Sequence, residues 1–559
     1  MVLGIFVGVV AVVYVSRVTS VSAIVEHVNT TYDFVIVGAG TAGSVLANRL
    51  TEDGKHTVLL LEAGGEETRH PNVYVPLLSN LERANGYDWG GTSKDYDDWA
   101  ANGSVGWNYK QVLPYFLKSE DFLPESQKSS VYHSKGGPLP VSNIDVPFEP
   151  LADVFQKSLA QMGYKTIDCN TREALGMCTT QVTTDNGVRQ STANTFLKPV
   201  MTRKNLHVAT FAQANKVLIS NSRAVGVEYL RNGRKEVVGA RKEVILSAGP
   251  IGSPHILMMS GVGPAPHLLQ LNIPVHSDIP VGSNLHDPMM MPIRVLINES
   301  YTITPARATS VISKLKYKIL GSGMLSSSGG IVGTAFVNAD DKSKTKYPDV
   351  VLSMMATFPE LWESGRYNYH KYLAKEFYAT AIQNQNNSEG FTLWIQVAKS
   401  SSSGTMKLKS TNPFDHPDID PEYLFALRLI RAKPFQLKLR AKVLTRPFSK
   451  CAKHKFNSDP YLECLVRNLA VSSNNPSGTC KMGAIEDNST VVDPQLRVKG
   501  IQRLRVVDAS VMPTPVTGNT YAPVVMIAEK ASDLIRKSYN KEAKGQKRQD
   551  KNVQKKPKR

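Results

Sequence analysis

No stretch of about 20 residues repeats along this 559-residue sequence, which excludes a solenoid. It has no zinc-ligand spacing, no interleaving of aromatic with basic residues and no helix-turn-helix pattern, so neither a metal site nor nucleic-acid recognition is expected. It also lacks an apolar run long enough to span a bilayer comfortably. The longest, "VLGIFVGVVAVVYV" from Val2 to Val15, stops at Ser16 and Arg17, and no basic residue precedes it. Cysteine is scarce and odd in number: five residues leave at least one thiol without a partner in the chain.

What is present is globular. At 42% hydrophobic and 20% charged the composition is ordinary, and the length suits two large domains or three average ones. The net charge of +18 is uneven: the Lys-rich stretch from Arg536 to Arg559 carries about half of it. Residues 538–559 are expected to be a basic disordered tail rather than a polybasic patch for membrane or nucleic acid. The N-terminal apolar run suits a signal-peptide core, with "VSA" ending at Ala23 as its cleavage site; an uncleaved anchor is the other reading. Secretion would agree with the N-x-S/T sequons at Asn29, Asn102, Asn298, Asn386 and Asn488. Cys451 can pair with Cys464 and Cys169 with Cys178, leaving Cys480 as the odd thiol.

The first motif with chemistry is "YDFVIVGAGTAGSVLANRL". Asp33 to Val37 reads as a buried parallel strand. Gly38, Gly40 and Gly43 form G-x-G-x-x-G, and Ala42, Val45, Leu46 and Leu50 recur at helical spacing. A second strand, "TVLLLEAGG", ends in Glu62, nineteen residues after Gly43. Gly38 permits the tight turn, Gly40 lets backbone approach a pyrophosphate, and Gly43 allows close helix–strand packing. The helix N-terminus then faces the phosphates, and Glu62 can accept from a ribose 2′-OH. The fingerprint alone does not separate FAD from a nicotinamide cofactor. The late strand in "RLRVVDASVMP", ending in Asp508, and a helix starting near Pro523 favour a fold closed by distant segments, which a simple nicotinamide-binding domain does not need. "RKEVILSAGPIGSPHILMMSGVGP" reads as a strand, a small-residue turn and a helix initiated by Ser253-Pro254.

With "GPIGSPHILMMSGVG", "NGVRQSTANTFLKP", "LKSTNPFDHPDIDPEY" and "VVDPQLRVKGIQRLRVVDASVMPTPVTGNTYAP" in hand, the chain resembles glucose–methanol–choline flavoprotein oxidoreductases from about Tyr32 to Lys537. It is most like their insect glucose-dehydrogenase-like branch. The resemblance implies an α/β fold: a discontinuous Rossmann-like FAD-binding domain plus a substrate domain with an antiparallel sheet and covering helices. It places FAD-binding and part of the substrate domain in 32–298, the substrate domain in 299–400, and the substrate sheet followed by the FAD-closing strand and helix in 401–537. It implies oxidation of an alcohol or sugar CH–OH, with hydride passing to FAD and then to a quinone or oxygen. Besides Gly38, Gly40, Gly43 and Glu62, it assigns Thr41, Ala42, Ala63, Ala214, Ala248, Gly249, Asp508, Ala509 and Thr520 to the cofactor. Asp508 would contact the ribityl or phosphate region. His416 matches a structural turn.

Two departures bear on function. "GYDWGGTSKDYDDW" is short: relatives of this kind carry a few dozen more residues between the two halves, holding a loop that clasps the FAD pyrophosphate. Here the halves join at Gly90 and Gly91, an apparent deletion. And in "SSNNPSGTCKMG" Asn475 stands where the resemblance implies a catalytic His, so the pair at the reacting carbon is Asn475 and Asn519. An amide orients a hydroxyl but does not take its proton near neutral pH. The expectation is therefore a secreted FAD-dependent CH–OH oxidoreductase whose activity these two departures would impair. The alternative is an inactive descendant that binds an alcohol, sugar or sterol.

Overall fold

The computed structural model describes residues 23–79, 90–125, 130–145, 148–178, 180–339, 345–358, 389–399, 402–421, 448–455 and 458–554. The apolar run before Ala23 and the sequon at Asn386 lie outside them.

Strand β1 (Thr31–Val37) is followed by helix α1 (Thr41–Thr51) and β2 (Val58–Leu61). The last four residues of β1 and all of β2 are buried, as strands covered on both faces must be. Four later strands join them: β5 (Leu206–Ala209), β6 (Ala212–Ser220), β7 (Arg223–Arg231) and β8 (Arg234–Leu246). They follow the short β3 (Thr166–Ile167) and β4 (Gly176–Cys178), which belong to a second sheet. The order in the first sheet is β5-β2-β1-β8-β7-β6, parallel from β5 to β8 and antiparallel beyond. A segment more than 250 residues downstream completes it: Leu504–Val506 pairs in parallel with Val244–Leu246 of β8.

The second sheet is built from β9 (Met289–Leu296), β10 (Ile331–Val337), β11 (Val350–Met355), β12 (Gly390–Val397) and β13 (Val471–Ser472), with β3 and β4. Its order is β13-β9-β12-β11-β10-β4-β3, antiparallel except for β3 with β4. The expected antiparallel sheet is there, and it draws β3, β4 and β9 from before residue 299 and β13 from after residue 400. Helices α2 (Ser93–Ala101) and α3 (Tyr109–Ser119) precede α4 (Glu149–Gln161), which covers this sheet. Leu151, Phe155 and Leu159, at i, i+4 and i+8, pack with Met177, Ala335 and Leu352.

Two helix boundaries differ from expectation. Helix α5 (Gly249–Met259) begins at the small-residue turn, and Pro254 lies inside it rather than at its start. At its start Gly249 adopts φ +83°, which only glycine takes without strain. Helix α7 (Tyr521–Gln554), numbered after α6 (Val311–Leu320), continues through most of the segment expected to be disordered. Its first turns are packed, so extension into Lys-, Gln- and Glu-rich sequence costs little. Glu529 on α7, fully buried, is gripped by Arg49 of α1 at 2.6 Å and Lys118 of α3 at 2.7 Å. Both expected cysteine pairs are disulfides, Cys169–Cys178 and Cys451–Cys464, and Cys480 is free and buried.

One buried cluster carries a pH signature. His133 lies between Glu120 (2.8 Å) and Asp168 (2.7 Å) and stacks on Phe122. Burial opposes its charge, but the two carboxylates outweigh that and raise its pKa to about 9. A raised folded-state pKa adds stability that is complete below the unfolded value near 6.5 and is lost as pH climbs through about 9. Thermal melts from pH 6 to 10 should therefore show the difference between the parent and His133→Gln shrinking with rising pH. A difference constant across that range would remove His133 from the account.

Candidate active site

The glycine turn after β1 has the geometry of a phosphate cradle. Gly38 takes φ +98°, and a Cβ there would lie 2.5 Å from the Ser247 carbonyl oxygen. A Cβ on Gly43 would lie 1.8 Å from the Gly38 oxygen, so α1 packs backbone to backbone on the turn. At Gly40 a Cβ would meet nothing within 4 Å. That open space faces the start of α1, whose N-cap is Gly40 and which carries no side-chain cap. Unpaired N–H groups beside open space fit a pyrophosphate, so the residues present suit a dinucleotide. Thr41 and Ala42 form the first turn. Glu62 accepts from the N–H of Ala39 and of Gly64, each at 2.7 Å, which fixes the acid between the turn and the end of β2. Ala63 follows it in the open. Ala214 reaches the same end from β6, because the Ala212 N–H donates to the Glu62 carbonyl at 2.8 Å.

From this turn a continuous row of contacts crosses the C-terminal edge of the sheet. Gly38 packs on Ser247 and Ala248. The Gly249 N–H donates to Asp508 Oδ2 at 3.0 Å, and Ser253 Oγ donates to the same oxygen at 2.5 Å. Asp508 Oδ1 accepts from the N–H and hydroxyl of Ser510 at 2.8 and 2.5 Å. Four protein donors meet a carboxylate with about four acceptor positions, so Asp508 joins α5 to the segment that follows the C-terminal strand. Burial pushes its carboxyl up from the ordinary value. The Ala509 carbonyl accepts from the Gly478 N–H, which brings in the loop that holds Asn475.

Asn475 is 6% exposed. Its Nδ2 donates to the Ser473 carbonyl at 3.0 Å, and its Oδ1 accepts from the Thr520 N–H at 3.3 Å, one residue before α7. The amide thus caps the start of α7 through Thr520, the residue after Asn519. The sequence reading missed the group behind it. Asp287 accepts from the Asn475 N–H at 3.3 Å and from the Ser472 hydroxyl, fixing the loop from below. It also missed Ser253, read only as a helix starter, and Ser510, which lies beyond the strand read as ending at Asp508. Nearby His286 is neutral by its surroundings: burial and then Lys481 lower its pKa, and its ring faces the Ser402 carbonyl and Asn284. Burial and the Asp508 carboxylate raise the Cys480 thiol well above its usual value, which rules it out as a nucleophile.

The Gly90–Gly91 junction lies against Val516, in the segment just before α7. The Gly90 N–H donates to Asn170 Oδ1 at 3.0 Å. Asp95 of α2 accepts from the Thr517 N–H at 2.9 Å and pairs with Lys399 at 2.6 Å. A cavity of about 50 Å³ separates the junction glycines from Ala522, Val525 and Met526 of α7.

Residues 88–290 and 400–528 match N- and C-terminal profiles described as GMC oxidoreductase. The chain is 35% identical to glucose dehydrogenase (FAD, quinone) of Drosophila melanogaster, covering 91% of this chain and 87% of that one. That alignment runs over 567 positions, more than the 559 residues of the chain. Choline dehydrogenase, mitochondrial, of Mus musculus is 34% identical over 90% of this chain and 89% of its own. Among solved structures, formate oxidase of Aspergillus oryzae superposes with a TM-score of 0.80 at 22% identity, covering 92% of this chain and all of that one. Pyridoxine 4-oxidase of Mesorbium loti gives 0.74 at 24% identity, covering 90% and 98%. These two likenesses show the fold.

Two glycine variants separate folding from cofactor binding. Gly40→Ala should leave the melting temperature of the apoprotein unchanged and lower FAD affinity by about tenfold or more, because its methyl fills only the cradle. Gly43→Ala should lower both. Fluorescence titration with FAD and thermal melts read the two effects, and full flavin affinity in Gly40→Ala would disprove the assigned cradle.

Proposed function

The chain belongs to the GMC oxidoreductase family of FAD-dependent oxidoreductases, and from that premise we propose that it is a secreted oxidoreductase for the CH–OH group of a small alcohol or sugar, with its proton-transfer step impaired. The observation that carries this reading is the hydrogen bond from the Thr520 N–H to Asn475 at the N-terminus of α7, next in sequence to Asn519, at the end of the row that starts at the cradle. Bound FAD supplies the two-electron acceptor. The chain's own part is to orient the hydroxyl. Asn475 and Asn519 offer amide groups, and the start of α7 offers a positive dipole end to a developing oxyanion. What these residues do not offer is a base. Asn475 cannot take the proton, and the nearest carboxylate, Asp287, is engaged by the loop's own N–H and hydroxyl groups.

The second reading, a binding protein without turnover, is favoured by the capping role of Asn475, which keeps α7 in place without a base. The missing clasp at Gly90–Gly91 weakens either reading's hold on FAD. A cavity at the junction supports the view that residues are absent there. Secretion is supported by two disulfides and by the exposure of Asn29, Asn102, Asn298 and Asn488.

One experiment separates enzyme from binder. In a chain with a relative's loop inserted at Gly90–Gly91, flavin occupancy should rise, and Asn475→His should then speed alcohol-dependent flavin reduction by about 10²-fold. The new rate should increase with pH through a pKa below about 6.5, since burial and the helix end both disfavour imidazolium. Stopped-flow absorbance with a panel of sugars and alcohols reads this, and equal rates in parent and variant would favour the binding protein. Separately, expression in a secretory host should give N-glycosylated protein in the medium, beginning near Ile24. Cytosolic protein that keeps Met1 and does not shift on deglycosylation would end the case for secretion.

A further inference from the structure

Among the described residues eighteen large hydrophobic side chains are exposed, and five of them lie in the ten residues of α6, so this apolar surface is concentrated. Val311 and Ile312 are each 81% exposed, Ile319 and Leu320 67%, and Leu315 54%. With about 100° between successive residues, Val311, Ile312, Leu315 and Ile319 share one sector of the helix. Lys314 and Lys318 border that sector on one side and Lys316 on the other, all exposed, and the helix has no acidic residue. Tyr317, on the opposite side, packs against the core of the second sheet. The polarity is the reverse of an ordinary surface helix, which turns its apolar stripe inward. It is also a well-formed helix: Ser310 caps it by accepting from the Ser313 N–H at 3.2 Å, and Gly321 ends it at φ +61°.

We propose that α6 docks on an anionic lipid bilayer. It lies in the plane of the headgroups, with Val311, Ile312, Leu315 and Ile319 inserted and Lys314, Lys316 and Lys318 on lipid phosphates. Charge complementarity selects this partner: the helix carries three cations and no anion beside its apolar strip, the pattern of an interfacial helix, and of the two acids in the hollow beyond Lys316, Asp145 and Glu149, Asp145 is held by the Gly323 N–H and the Ser326 hydroxyl. At about 15 Å the helix is too short to cross the membrane. Tyr301, 41% exposed, shares a hollow of about 530 Å³ with Lys316 and adds an aromatic group at the level where such rings settle.

The test is flotation of the full chain with phosphatidylcholine vesicles and with phosphatidylcholine–phosphatidylserine vesicles, at low and at raised salt. The parent should float with the anionic vesicles, and part of that binding should survive raised salt, because insertion is apolar. Ile312→Glu/Leu315→Glu should lower partitioning by about tenfold or more and abolish the salt-resistant part, with the melting temperature unchanged. Lys314→Glu/Lys318→Glu should abolish the preference for anionic vesicles. Unchanged flotation of Ile312→Glu/Leu315→Glu would assign binding to the Lys-rich C-terminal segment and overturn the proposal. So would failure of the parent to float, or a parent dimer that the same variant dissolves, which would make a second copy the partner.

Discussion

The carboxylate of Asp508 is the constraint on which the site depends. It is 3% exposed and accepts four hydrogen bonds from Gly249, Ser253 and Ser510. Those donors lie at the start of α5 and just beyond the last strand of the first sheet. Burying a carboxylate is costly unless its acceptor positions are filled, and here they are. Removing the carboxylate would orphan two backbone N–H groups and two hydroxyls at once. Because the adjacent Ala509 carbonyl receives the Gly478 N–H, the same fixture sets the height of the Asn475 loop above the sheet.

Above that fixture, one side chain is asked for two things. Asn475 must hold the start of α7, and the site's chemistry asks for a base at the same position. An amide does the first well, since its oxygen meets the Thr520 N–H and its nitrogen meets the Ser473 carbonyl. It fails at the second because it has no accessible protonation near neutral pH. A neutral imidazole has one acceptor nitrogen, so a His at this position serves as a base only where it leaves the start of α7 uncapped. On the proposed function, an amide at position 475 therefore gives a fixed helix end without proton transfer.

The glycine cradle was legible because each glycine answers to a local demand: Gly38 to a positive φ, Gly43 to a backbone at van der Waals range, Gly40 to a space left open. The parallel strands were legible from unbroken apolar runs such as Val58–Leu61. The start of α5 was misplaced because Ser253-Pro254 looks like a helix signal, whereas the turn at Ala248–Gly249 already supplies one through Asp508. The extent of the second sheet was not legible, since strands of two or three residues such as Gly176–Cys178 carry too little periodicity to announce a partner. Asp287 was missed for a similar reason. An Asp-Pro pair in a loop has no periodic signal, and its role appears only when Ser472 and Asn475 arrive from nearly 190 residues away.

The parallel pairing of Val244–Leu246 with Leu504–Val506 has a consequence for how the chain comes into being. On the ribosome, β8 emerges with one edge bare, and the strand that covers it is not made until more than 250 further residues have followed. At 5–20 residues per second that interval lasts on the order of tens of seconds. During it the nascent sheet presents unpaired backbone groups and the apolar surfaces that α7 will later cover. A chain halted anywhere before residue 504 keeps that edge bare permanently, so holding nascent chains apart until synthesis ends is part of what this topology requires.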